Sequence, residues 1–291
     1  MRITPLIGVG MALLLTGALP AQNPPLYRFG IDQDNLQGAP DFSFLNHPLT
    51  AADSVFVKDG HFYTVGDDLA PNTADDRRIR FYGVNLAFGA NFPLQGDAAR
   101  IARRLRRLGV NLVRLHHMDT TVDPVISPST ANGILIASPY PTFNDISVQR
   151  LRDFLEALAI EGIYIDLNLH VGYQFRPIVD QVPVLPNQAM PSQSKPLHIF
   201  TPRMVQLQQQ YTQQLIEKLQ LKSNPVLAAV EINNESSLMQ AWQSGQLDPL
   251  LVGEYRSELQ GQWNRWLGAR YANTDELVKA WGTVARTGPT C

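Results

Sequence analysis

A parallel α/β sheet of the (β/α)8-barrel type, present as about four strand–helix units behind a β-hairpin, is the fold this sequence predicts. Three observations carry it. Apolar runs of strand length alternate with helical stripes between residues 79 and 232. Residues 163–170 (IYIDLNLH) alternate strictly, with Ile163, Ile165, Leu167 and Leu169 apolar and Tyr164, Asp166, Asn168 and His170 polar. Residues 226–238 (VLAAVEINNESSL) form an apolar run that stops at Asn233, Asn234 and Glu235, as barrel strands do at their C-terminal rim.

In chain order, residues 54–65 (SVFVKDGHFYTV) alternate about Asp59-Gly60, a hairpin signal. Residues 79–86 (IRFYGVNL) are the first barrel strand. The helix at 96–108 follows, with Ala98, Ile101, Leu105 and Leu108 on one stripe and Gly109 placed to end it. Residues 110–116 (VNLVRLH) make the second strand and 146–161 the second helix, with Val148, Leu151, Leu155 and Leu158 as its stripe. The third strand is 163–170. An antiparallel strand with one wet face would show the same alternation, but the flanking helices favour a parallel strand whose polar face lines a site. Long loops follow the second and third strands, at 118–144 and 171–198. The later one is too long for a mere connector and is a candidate substrate-binding loop. Thr201-Pro202 opens the third helix as N-cap and first-turn proline, and 226–232 is the fourth strand. Asp248-Pro249 starts a helical segment towards Leu267, and Thr274 caps a last short helix.

Length and composition bound the function. The 291 residues are 44% hydrophobic and 17% charged, with a net charge of −2, so neither nucleic acid nor an anionic membrane is an expected partner. The basic run 100–107 reads as the solvated face of the first helix. Residues 1–21 read as a signal peptide, with Arg2, an apolar stretch at 6–15 and small residues before Ala21, which predicts a secreted or periplasmic protein with no membrane contact after cleavage. Residues 22–78 are an N-terminal extension carrying the hairpin, and 79–291 are the partial barrel. The one cysteine, Cys291, allows no intrachain disulfide and no cysteine-based metal cluster.

The chemistry centres on Glu235. Breaking a glycosidic bond takes one carboxylic acid to protonate the leaving oxygen and a second carboxylate to attack the anomeric carbon or activate water. Glu235 sits where the first would, beside an amide able to bond a hydroxyl. A helix-capping Glu at a strand–helix junction fits the same spacing. Arg114 and Glu231 both fall on the inward face and are expected to pair, because a lone buried charge is costly.

The run EINNESS resembles the fourth-strand motif of retaining glycoside hydrolases with TIM barrels, such as families 5 and 42 and agarase-like relatives. FYGVNL at 81–86 resembles their first strand, GVNLVRLHHMD at 109–119 their second, and LNLH at 167–170 the end of their third. YANTDELVKAWG at 271–282 is similar to a helical segment in family 42. The resemblance implies hydrolysis of an oligo- or polysaccharide without a cofactor. Glu235 would be the acid/base and Asn234 the ligand of the hydroxyl beside the reacting carbon. Arg114, His117 and His170, with His116 as a further candidate, would line the substrate site or hold its carboxylates. Tyr173, Phe175 and above all Trp242 are rim aromatics for sugar faces, whereas Trp263, Trp266 and Trp281 read as core.

The departure from this pattern is the nucleophile. In those families it is a second Glu at the end of strand seven, and the later acids here (Asp248, Glu254, Glu258, Asp275 and Glu276) fall on or beside helices. The expectation is therefore a fragment of a longer enzyme, or a half-barrel that binds carbohydrate without cleaving it, with open edges that favour association. A metal-dependent hydrolase built on His116, His117, Asp166 and His170 is a third reading. Adjacent histidines on a strand point to opposite faces, which argues against joint coordination.

Overall fold

The computed structural model describes residues 41–122, 131–184, 190 and 194–282. The expected signal peptide, the start of the extension and Cys291 lie outside the described residues. The described residues fall in one compact unit.

The unit begins with an antiparallel sheet of β1 (Val55–Lys58), β2 (His61–Thr64) and β3 (Arg77–Arg78). Asp59 and Gly60 join the first two with φ of 49° and 74°, the left-handed pair that a two-residue hairpin requires. Phe62 packs edge-on to Phe81, and Phe81 edge-on to Tyr164, which seats this sheet against the N-terminal end of the third strand of the main sheet.

The main sheet holds β4 (Gly83–Ala87), β5 (Leu112–His116), β8 (Tyr164–His170) and β9 (Leu227–Asn233), all parallel and in chain order. Parallel neighbours require long crossovers. Helices α1 (Gln95–Arg107), α2 (Asp145–Ile160) and α5 (Pro202–Lys218) lie within them. Val113, Leu115, Ile165, Leu167 and Leu169 are buried in one core with Leu151, Leu158, Leu207 and Leu215 of α2 and α5. Gly162 ends the turn after α2 at φ 72°. A Cβ there would stand 2.2 Å from the His47 carbonyl oxygen, so a side chain is excluded.

Several local expectations need correction. The first strand is shorter than 79–86. The Asn111 side chain accepts from the Tyr82 N–H and donates to the Arg80 carbonyl, so it engages backbone groups just before Gly83. Thr201 and Pro202 hold the N-cap and first turn of α5 as expected, though the Thr201 side chain makes no capping bond, and Asn273 rather than Thr274 caps the last helix, α8 (Thr274–Trp281), by accepting from the Glu276 N–H. The loop after β5 contains a short parallel pair, β6 (Thr121–Val122) and β7 (Leu135–Ile136). The loop after β8 contains α3 (Pro177–Asp180) and α4 (Lys195–Phe200). The helical segment expected from Asp248 is a 3-10 turn at Asp248–Leu250 followed by α7 (Gly253–Arg270), and α6 (Leu238–Gln243), which was not expected, precedes it.

The basic run on α1 is not simply a solvated face. Arg106 donates to the carbonyls of Ser43 and Asn46 and pairs with Glu161 at 3.2 Å, which ties the extension to two helices. The three helical tryptophans are not core. Trp263 and Trp266 stack at 5.2 Å, Trp281 lies 6.0 Å from Trp263, and all three are nearly half exposed. α7 spreads its apolar residues around its girth, so burying the side that carries Tyr255 and Leu259 leaves its tryptophans outside the core.

Among the described residues β4 and β9 each pair on one side only. Ile232 on β9 is 68% exposed and Val230 is 44% exposed. Unpaired strand edges with apolar side chains favour association. Concentration-dependent self-association is therefore expected in sedimentation velocity at micromolar protein, and one monomeric species across a hundredfold dilution would contradict it.

Candidate active site at the C-terminal ends of the parallel strands

The face of the main sheet away from the helices is polar because of register. Asn85, Arg114 and Asp166 stand in one row across β4, β5 and β8, Asn168 opposes Glu231, and His170 opposes Asn233. Arg114 is the hub. It grips both Glu231 oxygens, through Nε at 3.0 Å and through Nη2, so the expected pair forms with fork geometry. It also donates to Asn85 Oδ1 and Asn234 Oδ1 at 3.0 Å each, and to Asn168 Oδ1 at 3.4 Å. These bonds make Arg114 a residue that holds carboxylate and amide side chains, the second of the two roles the sequence allowed it. Because Arg114 takes the Asn234 amide oxygen, the NH2 of Asn234 is the half that can meet a hydroxyl.

Asp166 and Glu231 shift in opposite directions in this network. Burial and a hydrogen bond to Glu231 push the Asp166 carboxyl up to about 6, while Arg114 holds Glu231 below its ordinary value. Ionised Asp166 is thus disfavoured in the folded state. Its contribution to stability is fully present below the unfolded value near 4 and is lost as the pH rises through about 6. Asp166→Asn is expected to be about 1 kcal/mol more stable than the parent at pH 8 and equal to it at pH 4, allowing for partial solvent screening. Urea midpoints at the two pH values read this directly; an equal gain at both would exclude a raised Asp166 pKa.

His116 bonds Asn168 Oδ1 through Nδ1 at 2.7 Å and so belongs to the same network. His117 does not alternate with it. It takes φ 51°, leaves the strand geometry and stacks edge-on to His116 at 4.2 Å, so the expectation of opposite faces fails. Desolvation and the neighbouring His116 lower the His117 pKa. Among the described residues no three His, Cys, Asp or Glu side chains converge on a point that could hold a metal ion.

Glu235 stands just past β9 with φ 48°. A non-glycine residue in that region costs about 1–3 kcal/mol and persists where the surroundings impose it, which is common at functional sites. The preceding residue fixes the geometry, since the Asn234 N–H donates to the His170 carbonyl at 2.9 Å and its side chain is held by Arg114. Glu235 opens into a cleft lined by Lys195, Pro196, Ser236, Ser237, Gln240, Ala241 and Gln246, among which it is the one acid.

Behind this cleft lies a tighter pocket that shares Lys195 and Ser236 with it. His170, His198, Tyr140, Tyr173 and Asn233 also line it. Burial drives the His170 pKa down to about 4 and that of His198 to about 3, so both rings are neutral at pH 7. The sequence reading placed His170 with Arg114 and His117; the structure places its ring in this pocket. Trp242 is 60% exposed on α6 and is not in the lining of either cavity. Phe175 is buried among Tyr140, Tyr173 and His198 and offers no free ring face to a sugar.

Three residues that the sequence reading passed over organise the rim. Asp119, 1% exposed, accepts the backbone N–H groups of Val171, Gly172 and Tyr173 at 2.8–3.0 Å and so fixes the exit of β8. Asp180 accepts from the Tyr140 and Arg176 N–H groups and from the Tyr173 hydroxyl. Lys195 comes from α4, within the segment the sequence marked as a candidate substrate-binding loop without naming this residue. An acidic residue two positions past a strand-end His-His was the available signal for Asp119.

No family model matches this chain, and no curated protein matches it. Among solved structures it is similar to a glycoside hydrolase family 5 mannosidase from Rhizomucor miehei, with 11% identity and a TM-score of 0.40 over 65% of this chain and 50% of that one. The chain thus spans about half the length of that structure.

Proposed function

We propose that this chain carries the acid/base half of a retaining glycoside hydrolase site on the first part of a (β/α)8 barrel, with Glu235 as the acid and Asn234 as the ligand of the neighbouring sugar hydroxyl. The observation that carries this reading is the placement of Glu235. Among the described residues its carboxylate has no ion-pair partner, and it stands in a left-handed backbone conformation at the C-terminal end of a parallel strand, facing an open cleft beside an amide clamped by Arg114. The order of the sequence motifs supports the same family. Retaining chemistry needs a second carboxylate about 5 Å from the first. Glu231 is held by Arg114, and Asp166 lies 4.0 Å from the same guanidinium, so the attacking group is assigned to chain outside the described residues.

The second reading is a carbohydrate-binding module without turnover, favoured by the single acid in the cleft. Assays on aryl glycosides and polysaccharides, together with calorimetric titration of oligosaccharides, separate the two. Hydrolysis that disappears in Glu235→Gln supports the enzyme, and saccharide binding without hydrolysis supports the module. Hydrolysis that survives Glu235→Gln removes Glu235 from the mechanism, and the absence of both activities rejects the carbohydrate reading.

A further inference from the structure

Lys195 stands where the two cavities meet. It lines the cleft of Glu235 and also the tighter pocket behind it. Its side chain is half-buried, and among the described residues it has no carboxylate partner. Two other lysines, Lys58 and Lys218, do find one, in Asp76 and Asp145. Taking an ammonium group partly out of water without a counter-charge is costly, and a bound anion is the ordinary means of offsetting it.

The pocket behind Lys195 points to the same kind of ligand. His198 is 8% exposed and its Nε2 is buried without a partner. The hydroxyl of Tyr140, which is 5% exposed, is likewise buried and unpartnered. Both residues line the pocket with Lys195 and Ser236. The space there holds about one water-sized atom. A charged ammonium, an imidazole nitrogen and two hydroxyls around room for one atom suit a single anionic oxygen. One carboxylate faces the other way: Asp119 also lines this pocket. Both of its oxygens already accept backbone N–H groups, which offsets part of its charge. Lys195 is close enough to both His198 and His117 to disfavour their protonated forms, so its charge is felt across the rim.

We propose that Lys195, with His198 and Tyr140 behind it, forms a subsite for an anionic substituent on the saccharide, a carboxylate or a sulfate ester, with one anionic oxygen in the pocket and the sugar ring in the cleft of Glu235. This rests on the carbohydrate reading of the cleft and narrows it to acidic glycans. The ammonium supplies the counter-charge, and the neutral imidazole and the phenol donate hydrogen bonds, which is stronger recognition than a neutral hydroxyl would receive.

The test is calorimetric titration of the intact chain with three tetrasaccharides: a uronic-acid tetramer, a sulfated galactan tetramer and a neutral glucan tetramer. At least one acidic tetramer is expected to bind ten-fold or more tighter than the neutral one, and whichever does so distinguishes carboxylate from sulfate. Lys195→Met, which keeps the apolar stem, should bring the acidic-to-neutral ratio close to one, and Lys195→Arg should keep it above one. Thermal midpoints of both variants guard against unfolding. Binding of the neutral tetramer alone, or an acidic preference unchanged in Lys195→Met, overturns the Lys195 subsite and leaves the carbohydrate reading standing. Binding of none of the three rejects both.

Discussion

Asp119→Ala is expected to cost about 3 kcal/mol of stability, the largest loss from any single polar substitution near the rim. The carboxylate is 1% exposed and accepts three consecutive backbone N–H groups, from Val171, Gly172 and Tyr173. Hydrogen bonds to a charged acceptor contribute about 1.5–3 kcal/mol each, and a buried donor left without a partner incurs its full desolvation cost. The three losses do not add, because one entering water can satisfy part of the set. Asp119→Asn keeps a single carbonyl acceptor and should cost about half as much. Urea denaturation of both variants measures the difference. A loss below 1 kcal/mol for the alanine would mean that Asp119 does not anchor the exit of β8. The effect should reach the site as well, because this turn leads into Tyr173, which lines the pocket behind Glu235.

Glu235→Gln is the substitution with the largest expected effect on turnover. In the hydrolysis of aryl glycosides whose leaving phenol has a high pKa, kcat should fall by about 10²–10⁴-fold, the usual contribution of a positioned general acid. Glutamine keeps the shape of the side chain and removes the transferable proton. A dinitrophenyl leaving group departs as a stable anion and needs little protonation, so its bond cleavage should be almost unaffected. The readout is therefore the dependence of rate on leaving-group pKa, which steepens in the variant. An equal fall across the series would mark Glu235 as structural.

These two residues show what was legible in the sequence. The rim position of Glu235 could be read because a strand that ends on Asn-Glu is a local pattern, and its place past β9 follows from chain order alone. The polar face of β8 was equally visible, since alternation at period two assigns Asp166, Asn168 and His170 to one side whatever the strand packs against. The pairing of Arg114 with Glu231 followed from two inward positions and the cost of a lone charge, even though 117 residues separate them.

Asp119 was not legible in that way. Its partners are backbone N–H groups more than 50 residues later, and backbone groups leave no trace in residue identity. His117 was misplaced because alternation holds only within a strand, and its left-handed φ lies beyond that rule. The buried tryptophans expected on the last helices are exposed, since helical stretches rich in apolar residues need a partner surface as well as a pattern.

By itself, then, the sequence determined the alternation of strands and helices, the polar face of the sheet and the rim position of Glu235. Each depends on neighbours within one turn or one pleat, where covalent geometry dictates direction. Only the tertiary structure decided which charges meet. It set Arg114 as a clamp on Asn234 as well as on Glu231, placed the His170 ring in a second pocket, and brought Lys195 from α4 to the wall beside Glu235. Those outcomes depend on sheet register and on the paths of loops between strands, where contacts distant in sequence are selected by packing and by the cost of leaving a buried polar group without a partner.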